Sequence, residues 1–320
     1  MRIVMTGAAG MVGRKLTQRL IADGTVGGRK IAAMDLHDVV PFAAPDADGI
    51  DIKVHVGDLS AEGASATLVA GKPDLVFHLA GVVSGEAEAD FDLGYRVNLD
   101  GTRALFDAIR LAGNAPRVVF TSSIAVYGGP YPDVIPDDFQ TVPLTSYGVQ
   151  KLMGEGFLVD YTRRGFFDGI GLRLPTICVR PGKPNKAASG FFSNIIREPL
   201  AGLPAVLPVP RSVVHTHASP RSAVGFLMHA ATIDGDAVGP RRCLTLPGVG
   251  VTVGEQIDAL ERVAGSAAVK LIREEHDETI WALVKNWPTR FEARRSQELG
   301  FRAERNFDEI VRAHIEDELS

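Results

Sequence analysis

Residues 6–13 read Thr6-Gly7-Ala8-Ala9-Gly10-Met11-Val12-Gly13. They stand between a β-forming run at 2–6 (RIVMT) and a helical pattern at 11–22 with apolar Met11, Val12, Leu16, Leu20 and Ile21. Glycines at a strand–helix junction let the backbone turn sharply, approach a pyrophosphate, and seat the helix against the strand. The free N–H groups of the first helical turn then face the phosphates. A glycine triplet alone is also what a tight turn needs. Assigning Gly7, Gly10, Met11, Val12 and Gly13 to a dinucleotide site therefore depends on the rest of the chain.

Strand-like runs recur at 31–34, 52–56, 75–79, 118–120 and 170–174, and helical patterns at 92–112 and 146–163. Continuous apolar strands separated by helices predict a parallel sheet covered on both faces, an α/β doubly wound Rossmann fold. Asp35 closes the second strand 22 residues after Gly13, near the ~20-residue spacing at which an acid binds the adenosine ribose. A carboxylate there repels a 2′-phosphate, and Leu36 and His37 offer no arginine to receive one. NAD is expected over NADP, with a charged His37 the feature that would soften the preference. Asp58 is placed either to accept from an adenine amino group or to start a helix, and the residues leave both open.

Tyr147 and Lys151 lie four apart and share one helix face. Ser123 stands earlier, at the end of the strand-like 118–123. A tyrosine with a pKa near ~10 is a poor base at neutral pH, and a neighbouring ammonium is expected to lower it. The serine can hold a substrate oxygen while the tyrosine exchanges its proton. Asn98 is placed to hold the helix backbone or a water leading to the lysine.

After Pro175 the texture changes. Seven prolines, from Pro175 to Pro210, punctuate a stretch of loops and short elements. The expected division is 1–175 as the NAD-binding domain, with about 213–232 packing back on it. Residues 176–212 and 233–320 are expected to form a smaller α/β substrate domain. His215 and His217 alternate as on a strand, but no Asp, Glu or Cys at ligand spacing joins them, so no metal is expected.

The segments 6–13 (TGAAGMVG), 57–59 (GDL), 78–81 (HLAG), 97–102 (VNLDGT), 121–128 (TSSIAVYG), 147–151 (YGVQK) and 172–173 (LR) together resemble the extended short-chain dehydrogenase/reductase family. That family includes NAD-dependent nucleotide-sugar epimerases and dehydratases. The resemblance implies a catalytic trio of Ser123, Tyr147 and Lys151, with Lys151 also touching the nicotinamide ribose. It adds Leu59, Leu79, Ala80, Gly81 and Asn98 to the cofactor contacts. It also implies a homodimer through the helices at 92–112 and 146–163, whose Leu105, Ile109, Leu152 and Phe157 suit an interface or packing on the sheet. Within the family, 180–200 (RPGKPNKAASGFFSNIIREPL), 215–221 (HTHASPR) and 287–291 (WPTRF) are similar to the D-erythronate dehydrogenases. This implies oxidation of D-erythronate at C2 to 2-oxo-tetronate.

The tract 174–194 does not match the usual nucleotide-binding pattern. It offers Arg180, Lys183, Asn185 and Lys186, cations suited to a small anionic hydroxy acid. Ser84, Ser123, Asn185 and Arg221 are the expected substrate contacts, with Arg221 paired to a carboxylate. The alternative is a nucleotide-sugar epimerase or dehydrogenase; the absence of an acid beside Ser123 argues against a dehydratase.

Lys and Arg total 34 against 39 Asp and Glu, a net charge of −5, which carries no basic footprint for nucleic acid or an anionic membrane. Only Cys178 and Cys243 occur, and scattered thiols fit a reducing compartment. The first apolar residues run directly into the glycine motif, so a cytoplasmic chain without a cleaved leader is expected.

Overall fold

The computed structural model describes residues 1–182 and 189–319. Seven strands form its central sheet: β1 (Arg2–Thr6), β2 (Ala33–Asp38), β3 (Asp51–Val56), β4 (Leu75–His78), β5 (Arg117–Ser123), β6 (Asp168–Leu174) and, after two strands of another sheet, β9 (Cys243–Thr245). The spatial order is β9-β6-β5-β4-β1-β2-β3, and every neighbouring pair is parallel. The order reverses between β1 and β4, which opens a crevice at the carboxyl ends of those strands.

Both faces of the sheet are covered, as its apolar strands require. On one face, Ile3, Met5, Leu75 and Phe77 pack with Leu16 and Leu20 of α1 (Met11–Asp23). Val4, Val76, Val118 and Phe120 face the other side, against Leu105, Phe106 and Ile109 of α4 (Gly101–Ala112), the helices α2 (Ala64–Val69) and α3 (Ser84–Ala89) preceding it in the chain. Burying each such side chain contributes about 1.5–3 kcal/mol. Leu105 and Ile109 are thus committed to the sheet and cannot also form an interface.

α5 (Ser146–Arg163) crosses behind β5; a hydrogen bond joins it to β5 and an ion pair joins it to β6. Glu155 accepts from Ser122 Oγ at 2.6 Å and from Arg173 Nε at 2.9 Å, so the Tyr147 helix, the Ser123 strand and β6 are locked together. The residues before α4 form one turn of α-helix (Phe91–Gly94) and a π-helical segment (Tyr95–Asp100).

The second region has a core of its own, in which Phe192, Ile195 and Ile196 of α6 (Gly190–Leu200) meet Ile257 and Leu260 of α8 (Val253–Ala264). Phe307, Ile310 and Val311 of α10 (Phe307–Glu318), which follows α9 (Glu278–Val284), complete it. A small sheet orders β10 (Val249–Thr252), β8 (Val214–Ala218) and β7 (Thr176–Ile177). The intervening α7 (Pro220–Ala230) packs Ala223, Val224, Phe226 and Leu227 into the core shared with α1.

The expected division needs one correction. Residues 243–245 fall within the expected substrate domain, yet Cys243, Leu244 and Thr245 pair with Gly171, Leu172 and Arg173 and extend the main sheet. A three-residue strand carries too little pattern to be read alone. Among the described residues no helix is long and apolar enough to cross a membrane, and no group of His, Cys, Asp or Glu is arranged to hold a metal ion.

Candidate active site

The glycine segment sits at the crevice. A Cβ at Gly7 would lie 2.7 Å from Ala80 N, and one at Gly13 would lie on the Gly7 carbonyl and 2.8 Å from the Ala8 Cα. Only glycine permits this approach of loop, helix and the strand end beyond β4. Gly10 caps α1 without a side-chain hydrogen bond, leaving first-turn N–H groups to an anion. The cradle fits a dinucleotide pyrophosphate.

The acid beside this cradle is Asp38. Asp35 pairs with Val4 in the body of β2. Its carboxylate accepts from Arg2 Nη1 and bonds His55 Nε2, both at 2.9 Å. Asp38 ends β2, one position past the Thr6–His37 pair. Its Oδ2 accepts from Ala9 N at 2.9 Å and its Oδ1 from Val40 N at 3.1 Å. The assignment of the ribose acid to Asp35 is therefore corrected. A hairpin, Thr25–Val26 with Arg29–Lys30, lengthens the connection, so a count from Gly13 stops three residues short of the sheet edge. His37 is buried, and burial, the largest influence on it, lowers its pKa, so it stays neutral near pH 7. Asp58 Oδ1 accepts from the Ser60 N–H and hydroxyl at 2.9 and 2.7 Å, and Oδ2 pairs with Arg96 at 3.3 Å, a turn-closing role. Leu59 beside it is buried.

Leu79 N donates to Thr6 O at 3.1 Å and Ala80 N to Thr6 Oγ1 at 3.3 Å, which fixes the path after β4. Asn98, in the π-helical segment, accepts from Val82 N at 2.8 Å and donates to Val82 O at 3.1 Å and Gln150 Oε1 at 2.8 Å. It holds this loop to the Tyr147 helix. A Cβ at Gly81 would stand 3.0 Å from Asn98 Oδ1 and 3.2 Å from Lys151 Nζ, so the loop runs directly against the lysine.

Ser123, Tyr147 and Lys151 line one cavity of about 500 Å³ together with Gly7, Gly10 and Met11. Ser123 Oγ accepts from Ala125 N at 3.1 Å, and the serine lines the cavity with Tyr147. Lys151 Nζ donates to Thr121 O at 2.9 Å and lies 5.7 Å from the Tyr147 ring centroid. Burial lowers its pKa from 10.5 to about 8. The expected net lowering at Tyr147 is reversed: burial raises its pKa, opposed by the Ser123 hydrogen bond and the Arg180 charge. A neighbour's charge competes with desolvation, and here desolvation is larger.

The second region closes the cavity with Thr176, Arg180, Ser189, His215, Asn286 and Trp287. Ser84, at the start of α3, also lines it. His215 Nδ1 donates to Pro288 O at 2.9 Å, leaving Nε2 to accept from Thr176 Oγ1 at 2.7 Å; burial lowers its pKa to about 4. The histidine is a neutral wall. Arg180 donates through Nε to Ile177 O at 3.1 Å and through Nη2 to Ser189 Oγ at 3.0 Å. Arg221, expected in the substrate site, instead sits on the exposed start of α7, where it pairs with Glu316 at 2.9 Å and Asp317 at 2.6 Å outside the cavity. Asn185 lies outside the described residues, as do Lys183 and Lys186.

Comparison with known proteins assigns the family. The pattern described as "NAD dependent epimerase/dehydratase family" matches residues 3–216. The chain belongs to that family. It is 47 % identical over 319 residues to a D-erythronate dehydrogenase of Cupriavidus necator, covering 99 % of this chain and 98 % of that protein. A D-erythronate dehydrogenase of Haemophilus influenzae is 39 % identical over 316 residues, 99 % of each chain. Among solved structures, one described as the nucleoside-diphosphate-sugar epimerase from Agrobacterium tumefaciens superposes with a TM-score of 0.98 at 62 % identity, covering 100 % of this chain and 94 % of that one. With these relatives the family member is an NAD-dependent oxidoreductase acting on CH–OH groups.

Proposed function

We propose that this family member oxidises D-erythronate at C2 to 2-oxo-tetronate, using NAD. The observation that carries the reading is the meeting of Ser123, Tyr147 and Lys151 with the glycine cradle in a single cavity. Full-length likeness to two proteins of that name supports the substrate.

Gly7, Gly10 and Gly13 would hold the pyrophosphate, and Asp38 the adenosine ribose, where a carboxylate favours NAD over NADP. NAD, when bound, supplies the hydride acceptor. Ser123 positions the C2 hydroxyl, and the phenolate form of Tyr147, which burial opposes and the Ser123 and Arg180 side chains favour, takes its proton as the C2–O bond becomes a carbonyl. Lys151, anchored on the Thr121 carbonyl, keeps a positive charge beside the tyrosine ring. Asn98 holds the loop that shields this charge. The reading includes a homodimer through α4 and α5, on which Leu111 and Met153 are exposed.

Absorbance at 340 nm tests the reaction. D-Erythronate with NAD gives NADH, more strongly than with NADP or with other short aldonates. Tyr147→Phe removes turnover while NADH binding persists. No NADH from any small hydroxy acid, with NAD held through purification, would instead make the protein a nucleotide-sugar epimerase.

A further inference from the structure

Among the described residues lining the cavity there is no Asp or Glu. Its side chains that carry positive charge near neutral pH are Lys151 and Arg180, since burial keeps His215 neutral. Lys151 is committed to the tyrosine ring and the Thr121 carbonyl. Arg180 has no carboxylate partner among the described residues, and 183–188 (KPNKAA) contain no acid. It is nevertheless held rigidly. Nε and Nη2 are tied to Ile177 O and Ser189 Oγ, its backbone N–H donates to Ser193 Oγ at 3.0 Å, and its carbonyl accepts from Arg197 Nη1 at 2.7 Å. Nη1 has no acceptor among the described residues.

Most arginines of this chain are neutralised by acids. Arg173 pairs with Glu155, Arg197 with Glu198 and Arg221 with Glu316 and Asp317. A guanidinium that is partly buried, held by neutral acceptors and left with one free edge in an acid-free cavity is arranged to receive an anion. The ligand completes the charge balance.

We propose that Arg180 is the carboxylate anchor of the substrate pocket, and that it selects 2-hydroxy acids over neutral polyols and over nucleotide diphosphates. The inference rests on the proposed reaction for its substrate class. Arg180 lines the same cavity as Ser123 and Tyr147, so an anion on its free edge shares that cavity with the reacting group, as the carboxylate of a 2-hydroxy acid does. A nucleotide sugar carries its diphosphate on the anomeric carbon, removed from a reacting ring carbon. The guanidinium also fixes which carbon is presented, because a two-point hold on the carboxylate leaves the adjacent hydroxyl to Ser123 and Tyr147.

The test uses the NADH complex, which cannot oxidise the ligand, and reads binding of D-erythronate and D-erythronamide by calorimetry. Wild type binds the acid much more tightly than the amide. Arg180→Gln lowers affinity for the acid roughly 100-fold and leaves the amide within about two-fold, as expected for losing hydrogen bonds to a charged group. Arg180→Lys keeps the charge without the planar fork and falls between. Unchanged NADH affinity shows that both variants are folded. Equal affinity of wild type and Arg180→Gln for D-erythronate overturns the anchor, whether or not the protein makes NADH from that acid. So does a wild type that binds UDP but neither D-erythronate nor D-glycerate. Wild type that binds D-erythronate through Arg180 yet forms no NADH with NAD upholds the anchor and removes the proposed reaction.

Discussion

Exchanging the two acids of β2 separates a structural carboxylate from a cofactor-reading one. In Asp38→Ala the carboxylate beside Gly7 is lost, together with the acceptors for the Ala9 and Val40 N–H groups. Each hydrogen bond to a charged group contributes about 1.5–3 kcal/mol, and an adenosine ribose presents two hydroxyls. Discounting for the partial exposure of Asp38, the loss in NADH affinity is about 2–3 kcal/mol, or about 30- to 150-fold. NADPH loses a repulsion as well, so its affinity is unchanged or improved and the preference narrows by at least that factor. Asp35→Asn acts elsewhere. It breaks the contacts to Arg2 and His55, whose side chains are 31 % and 28 % exposed against 9 % for Asp35. Partial screening reduces the cost of breaking a buried pair to about 1–3 kcal/mol of stability. The assay is fluorescence titration with NADH and NADPH on both variants, beside urea unfolding. A narrowed preference in Asp35→Asn with an unchanged one in Asp38→Ala would refute the register argument.

Lys151→Met should abolish turnover and stabilise the protein near pH 7. The wild-type lysine has a folded pKa of about 8 against 10.5, so its penalty is full below pH 8, about 3 kcal/mol, and disappears as pH rises to 10.5. Urea unfolding of both forms at pH 7 and 10 should show that gap closing. Burial also lowers His78 to about 3 and His215 to about 4. The stability these neutral rings retain above pH 6.5 is lost as pH falls through 6.5 toward 4 and 3, at up to about 1.4 kcal/mol per pH unit for each ring. In His215→Asn the slope between pH 6.5 and 4 should fall by one proton's worth. Arg221→Ala should change kcat/KM less than two-fold and cost no more than about 1 kcal/mol, since its ion pairs are exposed; a large KM rise would return it to the substrate site.

Much of the fold was legible because its signals are local. The helix at Ser146–Arg163 has the expected bounds, and Met11–Asp23 differs by one residue. The continuous apolar runs became parallel strands within a few residues of their expected limits. At β2 the strand runs Ala33–Asp38 where 31–34 was expected, a shift made by the preceding hairpin. That displacement puts Asp38, three residues beyond Asp35, at the strand end against the glycine loop.

What the sequence determined by itself was the α/β class, the glycine cradle and the face shared by Tyr147 and Lys151, because each depends on neighbours within a few residues. Tertiary structure decided the rest. Pairing register placed Asp38 at the sheet edge and made 243–245 the seventh strand. Burial reversed the shift at Tyr147. Folding of the second region sent Arg221 to the acids of the last helix and Arg180 into the cavity. Both are arginines in a polar setting of sequence; what distinguishes them is which carboxylates the folded chain brings within reach.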